Sequence, residues 1–140
     1  MIKFIDNSTT DVEKDIWVHK KDIQTIMIYE GDKNNPKSTG WISMVTDKIT
    51  SIYYDDVETI RSKKTSFKDI TEFIIFRHLV NLGNEEMIVS LMLPIKHIEV
   101  ITKNKETGSI EILTLNTNYD IEDTNNILYK YICNRFSYRI

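Results

Sequence analysis

The segment Asp22-Ile23-Gln24-Thr25-Ile26 is echoed by His97-Ile98-Glu99-Val100-Ile101, with the isoleucines in register. A polar loop follows each copy. Next come Thr39-Gly40-Trp41-Ile42-Ser43-Met44 in one case and Thr107-Gly108-Ser109-Ile110-Glu111-Ile112 in the other. An apolar, helix-like run closes each, around 67–82 and 124–136. The echo predicts one strand-hairpin-helix unit used twice, as pseudo-repeats over 16–83 and 88–136. Hairpins of similar hydrophobic pattern align this way in any case, so the echo constrains packing and says nothing of chemistry.

The pattern between the echoes predicts a single α+β domain over residues 1–140, mainly an antiparallel sheet with one central and one C-terminal helix. Ile2 and Phe4 alternate with Lys3, as in an opening strand. From Ile16 to Tyr29 the β-branched residues favour two short strands, with Lys20-Lys21-Asp22 as the turn between them. Glu30 to Gly40 holds two glycines, a proline and two asparagines, which is loop chemistry. Trp41–Thr46 returns with Ile42 and Met44 on one face, and a further strand is expected near Thr50–Tyr54.

Ser66-Phe67-Lys68-Asp69 reads as a helix start, with Ser66 as the cap and Asp69 in the first turn. Phe67, Ile70, Phe73, Ile74, Leu79, Val80 and Leu82 then cover most of a helical circumference. Gly83 is placed to end that helix in the left-handed conformation. Met87–Leu93 has the continuous apolar character of a strand buried on both faces, stopped by Pro94. Ile98–Thr102 and Ile110–Leu115 form a hairpin whose loop needs a positive φ at Gly108. Tyr119–Ile121 adds an edge strand. Ile127, Leu128, Tyr131, Ile132 and Phe136 line one face of the last helix.

Composition narrows the function classes. With 41% hydrophobic residues and no low-complexity tract, the chain is long enough to bury a core without disulfides or metal. The apolar run near Ile70–Leu82 is broken by Arg77 and His78 and is too short to span a bilayer. The N-terminus turns polar at Asp6 and lacks a signal peptide's apolar core, and the only cysteine, Cys133, has no internal partner. Together these predict a cytoplasmic protein with no membrane association. Cys133 is expected to be a semi-buried filler of the last helix. A net charge of −3 argues against a surface that grips nucleic acid throughout. Alanine is absent while isoleucine, lysine and asparagine abound, the mark of an AT-rich genome such as that of a phage, plasmid or low-GC bacterium.

Motifs for chemistry are missing. His19, His78 and His97 are far apart, and none has a second ligand at helical spacing, so no metal site is expected. The four glycines form neither a GxGxxG nor a GxxxxGK[ST] pattern, so no cofactor or nucleotide loop is expected. Asp55-Asp56 and Glu85-Glu86 read as solvated turns flanking strands. No catalytic residue is assigned.

Two cationic stretches are the candidate partner- or nucleic-acid-binding residues: Arg61, Lys63 and Lys64, and the C-terminal Arg135, Tyr138 and Arg139, where aromatics interleave with arginine. Ile16-Trp17-Val18-His19, Ile23 and Ile26, with Phe76-Arg77-His78 later, resemble scattered positions of LytTR-type DNA-binding domains over about half the chain. That family is extended where this sequence reads as helix at Phe76-Arg77-His78, and the acidic charge suits DNA poorly, so the resemblance is not adopted.

The leading expectation is a non-catalytic interaction protein (a regulator, inhibitor or structural component) that binds a protein partner or itself along an exposed strand edge. A nucleic-acid or nucleotide-signal binder using a local basic patch comes second. An enzyme without a recognisable motif comes third, and would need two or more of His19, His78, His97, Asp55 and Glu85 to meet in a pocket.

Overall fold

The computed structural model describes residues 1–9, 12–32, 34–35, 37–67 and 70–136. Among these residues ten strands and two α-helices follow in order: β1 (Ile2–Asp6), β2 (Lys14–Val18), β3 (Thr25–Tyr29), β4 (Thr39–Val45), β5 (Thr50–Asp56), α1 (Val57–Phe67), β6 (Phe73–Leu82), β7 (Glu85–Pro94), β8 (Ile98–Lys103), β9 (Ile110–Thr114), β10 (Asn118–Ile121) and α2 (Ile127–Arg135). All strand pairs are antiparallel, one helix is central and one C-terminal, as the patterning predicts. No helix among the described residues is long and apolar enough to cross a membrane.

The chain forms two compact units, Met1–Ile95 and Lys96–Ile140. In the first, a five-stranded sheet runs β5-β4-β3-β7-β6 beside a separate β1-β2 hairpin. Alternation explains its core. Ile26 and Ile28 of β3 lie opposite Met44 and Ile42 of β4, and Met92 of β7 lies opposite Ile26, so all five share one face. Each is 3% exposed or less. Ile60, the one buried residue of α1, packs onto this face, with Phe4 and Val18 from the hairpin. Asn7 extends the same unit by pairing like a strand: its side-chain amide donates to the Tyr54 carbonyl (2.8 Å) and accepts from the Tyr54 N–H (2.7 Å). The opposite face carries Ile74, Phe76, Val89, Leu91 and Leu93, also buried.

The second unit is the three-stranded meander β10-β9-β8 followed by α2, with Ile110, Ile112, Ile121 and Leu128 buried. A polar network fixes the start of its helix. The Asp123 carboxylate accepts the N–H groups of Leu128 (2.8 Å) and Tyr129 (2.9 Å) and lies 3.7 Å from the Lys103 ammonium. Lys103 in turn donates to the Gly108 carbonyl and the Asn126 side chain, and sits 4.9 Å from the centre of the Tyr129 ring. The expected positive φ at Gly108 is present, at +80°.

The same succession occurs twice along the chain. A 3-10 turn (Lys20–Asp22 or Ile95–His97) leads into a three-stranded meander (β3-β4-β5 or β8-β9-β10) and then a helix. The first helix is not where the apolar run placed it. Residues 73–82, read as its core, are strand β6, and α1 lies earlier. Ser66 therefore closes a helix instead of opening one, donating its hydroxyl to the Lys63 carbonyl, while Lys68 and Asp69 lie outside the described residues. β6 resembles a helix because its root is buried on both faces at Phe73, Ile74 and Phe76, which masks the two-residue period. Gly83 does adopt a positive φ (+65°), but as the first residue of a two-residue hairpin turn between Leu82 and Glu85. Cys133, expected to be semi-buried, is exposed.

Candidate functional site

The β6–β7 hairpin is longer than the sheet that carries it. β7 pairs with β3 only from Met92↔Ile26 to Ser90↔Ile28, and beyond Ser90 the hairpin continues as a two-stranded arm to the turn at Gly83. Burial follows this geometry. Val89 to Pro94 are buried, whereas Leu79 (53%), Leu82 (46%) and Ile88 (54%) are open to solvent. Leu79 and Ile88 face each other across the ladder, so the arm presents a cross-strand apolar pair on one face.

The two-residue turn also sets the phase of the ladder. Leu82 and Glu85 close the hairpin as a hydrogen-bonded pair, so Val80↔Met87 and His78↔Val89 are bonded pairs and Leu79↔Ile88 is not. The backbone N–H and C=O of Glu86 and Ile88 therefore point away from β6. They point into a cleft of about 440 Å³ whose lining includes Ile28, Glu30 and Asp32 on one side and Arg77, Glu86 and Ile88 on the other. Partial burial holds the His78 imidazole below its usual pKa of 6.5, so it adds no charge to the arm at neutral pH.

The cationic stretch before β6 sits on α1. Arg61 and Lys64 share one carboxylate, Glu30, at 3.6 and 3.7 Å. Lys63 lies 4.8 Å from the centre of the Tyr53 ring. Arg135 ends α2 in the other unit, and Tyr138 and Arg139 lie outside the described residues. Glu30 offsets part of the positive charge that Arg61 and Lys64 would offer a phosphate.

The adjacent carboxylates Asp55 and Asp56 divide, as neighbours on a strand do. Asp56 accepts the Thr59 N–H at 2.8 Å, capping α1, and that bond holds its pKa below the usual carboxylate range. Asp55 accepts a short hydrogen bond from the Tyr53 hydroxyl. Burial first, then that bond and the nearby carboxylates, pushes the Tyr53 phenol up to about 12 from 10.0. An unfolded chain loses this proton near pH 10 and the folded one near 12. The native state thus holds stability below pH 10 that it loses as pH rises from 10 towards 12. In an absorbance titration at 295 nm, Tyr53→Phe is expected to remove a tyrosine that ionises last. Matching curves for parent and variant above pH 11 would contradict this burial of the phenol.

None of His19, His78, His97, Asp55 and Glu85 lines the cleft. Among the described residues no group of three or more His, Cys, Asp or Glu side chains can hold a metal ion. Phe76-Arg77-His78 is extended within β6, so the objection that a helix there separates this chain from LytTR-type domains does not hold. The arm was missed in the sequence, although Leu82-Gly83-Asn84-Glu85 carries the Gly-Asn signature of a two-residue hairpin. Comparison with family models, with curated proteins and with solved structures found no match.

Proposed function

We propose that this chain is a non-catalytic interaction protein, a regulator, inhibitor or structural component that holds a protein partner with the distal β6–β7 arm. The observation that carries this reading is the Leu79–Ile88 pair, more than half exposed on both strands at the end of a hairpin that overhangs its sheet. Contiguous exposed apolar surface beside unpaired strand backbone is the combination that β-strand addition uses. The lone cysteine supports a reducing cytoplasm as the setting, and the AT-rich composition supports a phage or other mobile element as the source.

Site-specific photo-crosslinking in the native cells tests it. A benzoylphenylalanine at position 79 is expected to trap a discrete protein, whereas the same group at Leu115, equally apolar and 64% exposed, is not. Leu79→Asp is expected to weaken that association about tenfold or more. Equal, diffuse labelling from both positions would remove the arm from consideration.

Nucleic-acid binding through Arg61, Lys63, Lys64, Arg135, Tyr138 and Arg139 is the second reading. The extended Phe76-Arg77-His78 segment supports it, and the engagement of Arg61 and Lys64 by Glu30 weighs against it. Adducts to nucleic acid in the same crosslinking experiment would reverse the order of the two readings.

A further inference from the structure

We propose that the cleft beside β7 receives an extended segment of the partner protein in the track that β3 vacates, with an apolar residue opposite Ile88 and a basic residue two positions on, opposite Glu86. This rests on the reading of the chain as an interaction protein and names what the arm would hold. Three observations support it. β3 pairs with β7 up to Ile28↔Ser90 and then departs, so the next positions along β7 face a gap where a strand had been. The main-chain groups of Ile88 and Glu86 point into that gap, and no described residue completes them. The gap has room for a few residues of extended chain at about 3.3 Å each.

Charge then selects the segment. Of the acids lining the cleft, Glu30 is engaged by Arg61 and Lys64. Asp32 and Glu86 have no ion-pair partner among the described residues, and Arg77 is the one described cation in the lining. Glu86 is the unpaired acid on the face that Ile88 shares, and Arg77, opposite Ser90 on that same face, stands four residues along β7 from it. Residues directly opposite across a ladder lie on the same face, and every second residue returns to it. An apolar residue and a lysine or arginine two positions later match that face. An acidic residue at the second position meets like charge.

The test titrates the ¹⁵N-labelled full chain with two capped synthetic octapeptides, Ser-Thr-Val-Thr-Lys-Thr-Ser-Gly and its Lys-to-Glu counterpart, observed by amide NMR. The lysine peptide is expected to shift the Glu86 and Ile88 amides and to slow their exchange. The glutamate peptide is expected to bind about five- to tenfold more weakly. Glu86→Lys should reverse that order. Ile88→Pro should abolish binding of both, because it removes an N–H that points away from β6 and leaves the hairpin ladder whole. Unmoved Glu86 and Ile88 amides at millimolar peptide would overturn the proposal. Equal binding of the two peptides, or an order unchanged by Glu86→Lys, would do the same. So would shifts that follow protein concentration alone, since a second copy would then occupy the edge. A partner trapped at position 79 with no peptide response would defeat the cleft and leave the arm standing. Absence of any specific adduct would defeat the wider reading instead.

Discussion

Gly40→Ala is expected to destabilise the first unit by about 3 kcal/mol, a large effect for one added methyl. Gly40 lies in β4 where α1 crosses the sheet. A Cβ there would meet the Tyr29 carbonyl oxygen at 2.5 Å, the Glu30 carbonyl carbon at 3.0 Å and Ile60 Cγ1 at 3.0 Å. Two of those three atoms are backbone of the neighbouring segment and cannot rotate aside. Relief of the two backbone contacts requires β3 and β4 to separate, and relief of the third requires α1 to lift, which uncovers the fully buried Ile60. Urea unfolding followed by the fluorescence of Trp17 and Trp41, both in the first unit, checks the prediction: the midpoint falls while the slope stays constant. An unchanged midpoint would mean that the Tyr29–Glu30 backbone and Ile60 do not approach Gly40 this closely.

Asp123→Ala is expected to cost about 3 kcal/mol and to loosen α2 before anything else. The carboxylate is 3% exposed and does two jobs. It satisfies two N–H groups in the first turn of the helix and balances the ammonium of Lys103, itself only 17% exposed. Alanine leaves all three donors short of an acceptor. Lys103 keeps the Gly108 carbonyl and the Asn126 amide, which holds the loss below that of a fully isolated buried charge. Asp123→Asn, which retains an acceptor, is expected to cost about half as much. Lys103→Met should be milder still, because Asp123 keeps its backbone donors. Hydrogen–deuterium exchange across residues 118–136 distinguishes these cases. Uniform protection in all three variants would show that the helix start does not depend on this network.

The two networks differ in how far the sequence announces them. β3, β4 and β9 are legible because buried residues alternate with more exposed ones along each, and β8, with no buried residue, is legible from its apolar Ile98, Val100 and Ile101 ahead of a clear turn. The φ of Gly108 is legible because the loop chemistry demands it. α1 is not, since Val57–Phe67 is polar around most of its circumference and buries only Ile60; its one clear signal is the Asp56 cap. β6 misleads for the opposite reason, being apolar on both faces at its root. The arm is harder again. Leu79 and Ile88 look like core residues in a list of hydrophobics, and they are exposed only because β3 stops pairing at Ile28. That stopping point is a tertiary property. The cationic cluster was visible as charge, but its engagement by Glu30, more than 30 residues earlier in the chain, was not.

The repeated succession leaves one inequality between the units. In the first, β3 has β7 on its outer side, and Ile26 pairs there with Met92. In the second, β8 occupies the equivalent place, Ile101 matching Ile26, and no described strand lies beyond it. Bare strand edges are where molecules stick to one another and begin to form fibrils. β8 is irregular at the right point: its register shifts between Ile98 and Val100, and Glu99 places an exposed charge inside that bulge. A bulge twists the edge away from flat stacking, and a carboxylate there repels its own copy. β3 is guarded against aggregation by being covered from Ile26 to Ile28, and β8 by being deformed.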